Sequence, residues 1–186
     1  VGCRFSYPIE TITNGFDYEE VSDISVAAGP GPKKLRFLYV GSLYADFNPT
    51  FFFEGFEAWL KRGDVNRSEV QIDFYGNSGY DYSNWLREHK LDDVVTFHGF
   101  RSRTELLPLL LQTDCLLLFL GFDESASNVI PAKLFEYLAS GATILAITPR
   151  GVTSELIEKH AAGVCVVRPN REELETALDY VLRRHH

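Results

Sequence analysis

Cys115-Leu-Leu-Leu-Phe-Leu120, followed by Asp123-Glu-Ser-Ala-Ser-Asn-Val-Ile-Pro-Ala-Lys-Leu-Phe-Glu-Tyr-Leu-Ala-Ser-Gly141, is the part of the chain whose reading decides the fold. The first run is apolar throughout and short enough for a strand. The second carries Pro131 where a helix would begin and Gly141 just past its end, the punctuation of a strand–loop–helix unit. Along that helix Lys133, Glu136 and Tyr137 fall three or four residues apart and share one side, while Leu134, Leu138 and Gly141 share the other. The leucine side is expected to pack and the polar side to look into a site.

The same unit repeats outward in both directions. Apolar, β-branched or aromatic runs occupy residues 36–40, 70–75, 94–98, 115–120, 143–147 and 164–168, and helical patterns lie at 49–61, 81–89, 103–112, 131–140, 153–160 and 171–183. Ser102 with Glu105, and Asn170 with Glu173, have the spacing of capping boxes and set two helix starts. Pro108 predicts a kink in the third helix or a later start. Strands apolar along their length, alternating with helices, predict an α/β fold: a doubly wound, Rossmann-like parallel sheet of six strands with helices on both faces. Ligands of such sheets bind beyond the carboxyl ends of the strands. Those ends read Gly41-Ser42-Leu43-Tyr44, Gly76-Asn77-Ser78-Gly79, Gly99-Phe100-Arg101, the Asp123 to Gly141 stretch, and Thr148-Pro-Arg-Gly-Val-Thr-Ser154. Any one glycine is read as a tight turn; their recurrence on one edge points to a site.

At 186 residues the chain suits one large domain, which buries roughly 70% of the surface of its unfolded form. A net charge of −8 gives no broad positive field for nucleic acid, and it requires an anionic ligand to be held by local dipoles or a few placed cations. Cys3, Cys115 and Cys165 are unclustered and read as thiols of a reducing, cytoplasmic compartment. The most apolar region, 106–122, is broken by Pro108, Gln112, Thr113 and Asp114, so no membrane span is expected. Residues 1–34, with an extended piece at 8–13, a turn at Asn14-Gly15 and a Gly/Pro linker at 27–32, read as a connector from a preceding domain. Residues 35–184 read as the domain itself, and His185-His186 as a tag remnant. Without any methionine and beginning at Val1, the chain is expected to be a piece of a longer protein.

Several chemistries have no signature here. No phosphate loop of the G-x-x-x-x-G-K-[ST] kind, no G-x-G-x-x-G, no G-x-S-x-G and no H-E-x-x-H occurs. The five histidines lack ligand spacing, and His98 reads as a turn or core residue. No D-x-D pair stands at a strand end, so no metal clamp is expected. What remains is a helix start, a carboxylate and a lysine. The amides of Asn128, Val129 and Ile130 precede the helix and can donate to an anion, helped by roughly half a positive charge from the helix dipole. Glu136, one turn on, offers two acceptor oxygens to a pair of adjacent hydroxyls. Equally, Lys133 and Glu136 can form an exposed i,i+3 ion pair. Spacing alone leaves both readings open.

The ordered set Ile12-Thr-Asn-Gly-Phe-Asp17, Phe37-Leu-Tyr-Val-Gly-Ser-Leu43, Phe97-His-Gly-Phe100, Pro131-Ala-Lys-Leu-Phe-Glu-Tyr-Leu-Ala-Ser-Gly141, Thr153-Ser-Glu-Leu-Ile157 and Ala162-Gly163 resembles the C-terminal domain of GT-B glycosyltransferases of group 1, family 4. The resemblance implies a domain that binds a nucleoside-diphosphate sugar without cofactor or metal. It implies also that a missing N-terminal domain holds the acceptor and its activating residues. On this resemblance Glu136 matches the second glutamate of the E-x7-E motif, which takes the ribose hydroxyls. Asn128, Val129 and Ile130 match the amides that receive the diphosphate, Gly99, Phe100 and Arg101 the turn beside the base, and Gly41 and Ser42 the turn near the phosphates. Two departures stand out. Asn128 occupies the position of the first glutamate, with Asp123 and Glu124 near but out of register, and residues 43–49 lack the usual Arg and Lys, for which Lys133 is expected to compensate. The resulting expectation is a metal-independent, retaining glycosyltransferase whose isolated half binds nucleotide but transfers nothing. A nucleotide-sugar epimerase and a non-catalytic nucleotide-binding scaffold are the rival readings; the acceptor, the sugar and the base are not legible.

Overall fold

Six apolar runs pair side by side in the computed structural model, which describes residues 14–16, 34–43 and 48–185. The expectations for the rest of the connector, for Cys3, for residues 44–47 and for His186 lie outside the described residues. The strands are β1 Leu35–Val40, β2 Val70–Tyr75, β3 Val95–Phe97, β4 Cys115–Phe119, β5 Thr143–Ile147 and β6 Gly163–Val166. All pair in parallel, in the order β3-β2-β1-β4-β5-β6. The helices are α1 Thr50–Lys61, α2 Ser83–Glu88, α3 Arg103–Leu111, α4 Lys133–Ser140, α5 Val152–Lys159 and α6 Arg171–His185. The order reverses between β1 and β4, so a crevice opens beyond the carboxyl ends of β1 and its neighbours.

Local sequence explains most boundaries. The Ser102–Glu105 capping box is formed, with the Ser102 amide donating to the Glu105 carboxylate at 2.9 Å. This fixes α3 at Arg103 and carries it through Pro108 to Leu111 with no later start. The second box is only half formed. Asn170 accepts from the Glu173 amide at 3.2 Å, but the Glu173 carboxylate takes the Val167 amide at 2.9 Å and ties the end of β6 to α6. β3 and β6 are shorter than their apolar runs, and α6 extends to His185, whose ring nitrogen lies 3.0 Å from Asp114.

The two faces of the sheet are filled differently. On one, Phe37, Tyr39, Ile72, Phe74, Leu117 and Phe119 meet Phe52, Phe53, Phe56 and Trp59 of α1, together with Leu174 and Leu178 of α6. Ring contacts run through this layer, with Phe53 against Phe74, Tyr82, Trp85 and Phe97. On the other face Leu38, Leu116, Leu118 and Ile144 pack on Leu107 and Leu110 of α3, Leu134 and Tyr137 of α4 and Ile157 of α5. That layer stops at β2, whose Gln71 and Asp73 alternate with buried Ile72 and Phe74. The expectation of strands apolar throughout fails here, because β2 buries only one face fully. Cys115 is buried, Cys165 is half-buried, both are free, and burial pushes both thiols up.

Candidate functional site

The turns after the first three strands are laced together by backbone. Gly41 donates to the Tyr75 carbonyl at 2.8 Å, Leu43 to the Asn77 carbonyl at 2.9 Å, and Gly76 to the Gly99 carbonyl at 2.9 Å. Gly41 (φ 132°) and Gly76 (φ 133°) adopt backbone angles that residues with side chains rarely take. Space is as decisive as angle: a Cβ on Gly76 would stand 2.2 Å from the Gly41 carbonyl oxygen.

These turns border a cavity of about 420 Å³. Val40, Gly41 and Ser42 after β1, and Tyr75, Gly76 and Asn77 at the end of β2, form one wall. Leu106, Leu107 and Leu110 of α3 form an apolar wall, and Phe100, Arg101, Arg103 and Glu136 complete the lining. Phe100 is 71% exposed, an unusual state for a large apolar ring. The structure therefore brings Gly41, Ser42, Phe100, Arg101 and Glu136 to one cavity, as the sequence grouped them. Gly99 stands just behind, holding Gly76, and neither Lys133 nor Asn128, Val129 and Ile130 belong to the lining.

Glu136 does not pair with Lys133. Its Oε1 lies 2.9 Å from Nη1 of Arg103, the first residue of α3. Phe16, in the described piece of the connector, shares a narrow gap with this pair and Leu107. Lys133 instead runs inward: its ammonium sits 4.2 Å from the centre of the Tyr39 ring, and a Cβ on Gly41 would be 2.4 Å from its Nζ. Burial pushes the lysine down to about 8, with no carboxylate of the described residues in ion-pair range. The exposed i,i+3 pair is thus not formed. Tyr137 also departs from the expected outward side. It is buried, and its hydroxyl accepts from the Val40 amide at 3.1 Å, joining α4 to the end of β1. A helix face broad enough to pack on the sheet needs more than two leucines, and Tyr137 fills it.

The approach to α4 is more ordered than a loop. Residues Glu124–Asn128 form a 3₁₀ turn capped by Asp123, which accepts from the Ser125 amide at 2.8 Å; the Ser125 side chain, and then that amide, hold the Asp123 carboxyl below the usual carboxylate range. The Val129 amide is committed to the Ala126 carbonyl, while its carbonyl accepts from Thr153 Oγ1 at 2.5 Å. The amide of Val129 is therefore not free for an anion, contrary to the expectation from sequence. The start of α4 itself, at Ala132, has no side-chain cap.

Three contributors escaped the sequence reading: Arg103, the leucine wall and Tyr75. A signal existed for Arg103, since a cation at the first position of a helix opposes the dipole and calls for a partner. Tyr75 stacks on His98 at 4.3 Å, and His98 lies 2.6 Å from Asp73, so this histidine is a paired strand-end residue beside the cavity. Burial, and then Asp73, push the Tyr75 phenol up. Among the described residues no three His, Cys, Asp or Glu gather as a metal site, and no helix is long and apolar enough to cross a membrane.

The sequence matches the family model described as "Glycosyl transferases group 1" over residues 22–185. No curated protein matches in sequence. Among solved structures, the apo lipopolysaccharide outer core galactosyltransferase WaaB superposes with a TM-score of 0.70 at 18% identity, covering 94% of this chain and 46% of that one. The C-terminal domain of the glycosyl transferase group 1 family protein LpcC from Francisella tularensis gives 0.62 at 17% identity, covering 92% and 88%. A trehalose-6-phosphate protein of E. coli bound with UDP-2-fluoro glucose gives 0.61 at 15%, covering 92% and 45%. The chain spans less than half of WaaB, yet nearly the whole of the LpcC C-terminal domain.

Proposed function

The chain belongs to the group 1 glycosyl transferases, and on that premise we propose that it is the donor-binding half of an enzyme that transfers a sugar from a nucleoside diphosphate to an acceptor held elsewhere. The observation that carries this reading is the convergence of Glu136, the Gly41–Ser42 turn and the Phe100–Arg101 turn on one cavity of about 420 Å³ at the carboxyl edge of the sheet. A nucleoside has the size and chemistry for it. The leucine wall and Tyr75 suit the flat base, and the Glu136 carboxylate suits the ribose hydroxyls.

The diphosphate then lies over the Gly41 turn toward the uncapped start of α4, with Lys133 beneath. In the transfer step the bond from the anomeric carbon to the diphosphate oxygen breaks and the oxygen keeps the electron pair. The acceptor oxygen forms the new bond and loses its proton to a base outside this chain. Charge growing on the leaving diphosphate is met by the helix start and the Lys133 ammonium, so the reading needs no metal. Retention at the anomeric carbon is part of the same proposal, by family resemblance. An epimerase would need acids beside the sugar; of its two candidates, Asp123 is occupied as the cap of the 3₁₀ turn, Glu124 is the first residue of that turn, and neither lines the cavity.

The test is calorimetric titration of the chain with UDP, GDP and ADP, with Glu136→Ala alongside. Binding of at least one diphosphate, weakened about tenfold or more by the substitution as expected for a hydrogen bond to a charged group, supports the donor site. Binding of none favours the scaffold reading, and sugar transfer by the chain alone would refute the placement of the acceptor base outside it.

A further inference from the structure

We propose that Arg103 is a positioning residue for the ribose: it holds the Glu136 carboxylate in the orientation that receives the ribose hydroxyls. The inference rests on the reading of the cavity as a nucleotide site, and it concerns a residue that the E-x7-E resemblance does not include.

Three observations converge on it. Arg103 is the first residue of α3, where the dipole disfavours a cation, and its side chain is half exposed. Its Nη1 lies 2.9 Å from Glu136 Oε1, and both side chains line the same cavity. Finally, both ends of the pair stand on anchored backbone. Arg103 follows the Ser102–Glu105 capping box, and Glu136 precedes Tyr137, which is bonded to Val40. The planar guanidinium fork imposes a direction that a lysine point charge would not. A carboxylate has about four lone-pair positions, so one N–H on Oε1 leaves Oε2 and further positions for hydroxyls. Without Arg103, Glu136 would have to be ordered by the ligand itself, at a cost of about two- to tenfold in affinity.

The experiment compares affinity for UDP, GDP and ADP with that for their 2′-deoxy forms, by NMR titration of the chain and of Glu136→Ala, Arg103→Ala, Arg103→Lys and the double Ala variant. Wild-type protein is expected to prefer the ribose form by about tenfold or more, and Glu136→Ala to erase the preference. Arg103→Ala should cut the preference about two- to tenfold while barely changing affinity for the deoxy form, Arg103→Lys should restore part of it, and Arg103→Ala should add nothing once Glu136 is gone. Melting temperatures are expected to stay level, because a half-exposed pair contributes little stability. If Arg103→Ala weakens both forms equally, or leaves the preference intact while Glu136→Ala abolishes it, the role of Arg103 is overturned and the nucleotide site stands. If Glu136→Ala leaves the preference unchanged, or no nucleotide binds, the site reading falls and the inference with it.

Discussion

The two faces of the sheet solve opposite problems with the same strands. On the α1 and α6 face, aromatic rings from β1, β2, β3 and β4 close over one another in a continuous layer. On the α3 and α4 face the apolar layer stops at β2, where Tyr75 packs on its edge, and beyond it stand Asp73, His98 and the cavity. Close packing stabilises one side; incomplete packing on the other leaves room for a ligand. The difference teaches that the site is placed by where the core stops, not by a motif alone.

The comparison breaks most visibly at Phe53. It is fully buried among five other aromatic rings, so Phe53→Ala should cost about 3–5 kcal/mol of stability. Denaturant unfolding checks this, and nucleotide affinity extrapolated to the folded fraction should not change. Gly76→Ala crosses the divide. A side chain there meets the Gly41 carbonyl in a backbone conformation that favours glycine, at a cost of at least about 1–3 kcal/mol. Because Gly41 and Ser42 would shift with it, both the unfolding midpoint and the nucleoside diphosphate affinity should fall together.

Lys133 bears on both faces, since it is a site candidate half-buried against the Tyr39 ring. Its ammonium is protonated in both the folded and unfolded chain below about pH 8, where burial costs stability in full. Between about 8 and its ordinary 10.5 the unfolded chain binds more protons, so this cost disappears as pH rises. Lys133→Met should therefore stabilise the protein at pH 7 by of order 1 kcal/mol, after the lost ring contact is set against the gain. The advantage should vanish by about pH 10 in thermal unfolding across pH. The same variant should bind nucleoside diphosphate more weakly, and wild-type affinity should decline as pH passes about 8. A Lys133→Met variant with unchanged affinity would remove the lysine from the diphosphate site.

Much of this was legible in residue order. The alternation of apolar runs and helical patterns, the glycine at each of three strand ends, and the Ser102–Glu105 box marked the sheet, its binding edge and a helix start that the structure shares. Gly41, Ser42, Phe100 and Arg101 follow strand ends on one edge, and Glu136 joins them through the resemblance to the group 1 family. Asp123 and Val129 were less readable. A 3₁₀ turn depends on contacts with Thr153 and Gly151 of a later segment, and no local pattern reports them.

Sequence by itself determined the order of the elements and which strand residues face each side, since a period of 2 is a property of one backbone. Tertiary structure alone decided the partners. Glu136 had a lysine three residues away on its own helix, yet it pairs with Arg103 of α3, because the leucines packed between α3, α4 and the sheet set the distance. Lys133 had water available, yet it lies under Gly41 and over Tyr39, because the missing glycine side chain leaves the only width its ammonium needs there. Spacing in sequence fixes angles within an element; the separation between elements follows from the volumes packed between them.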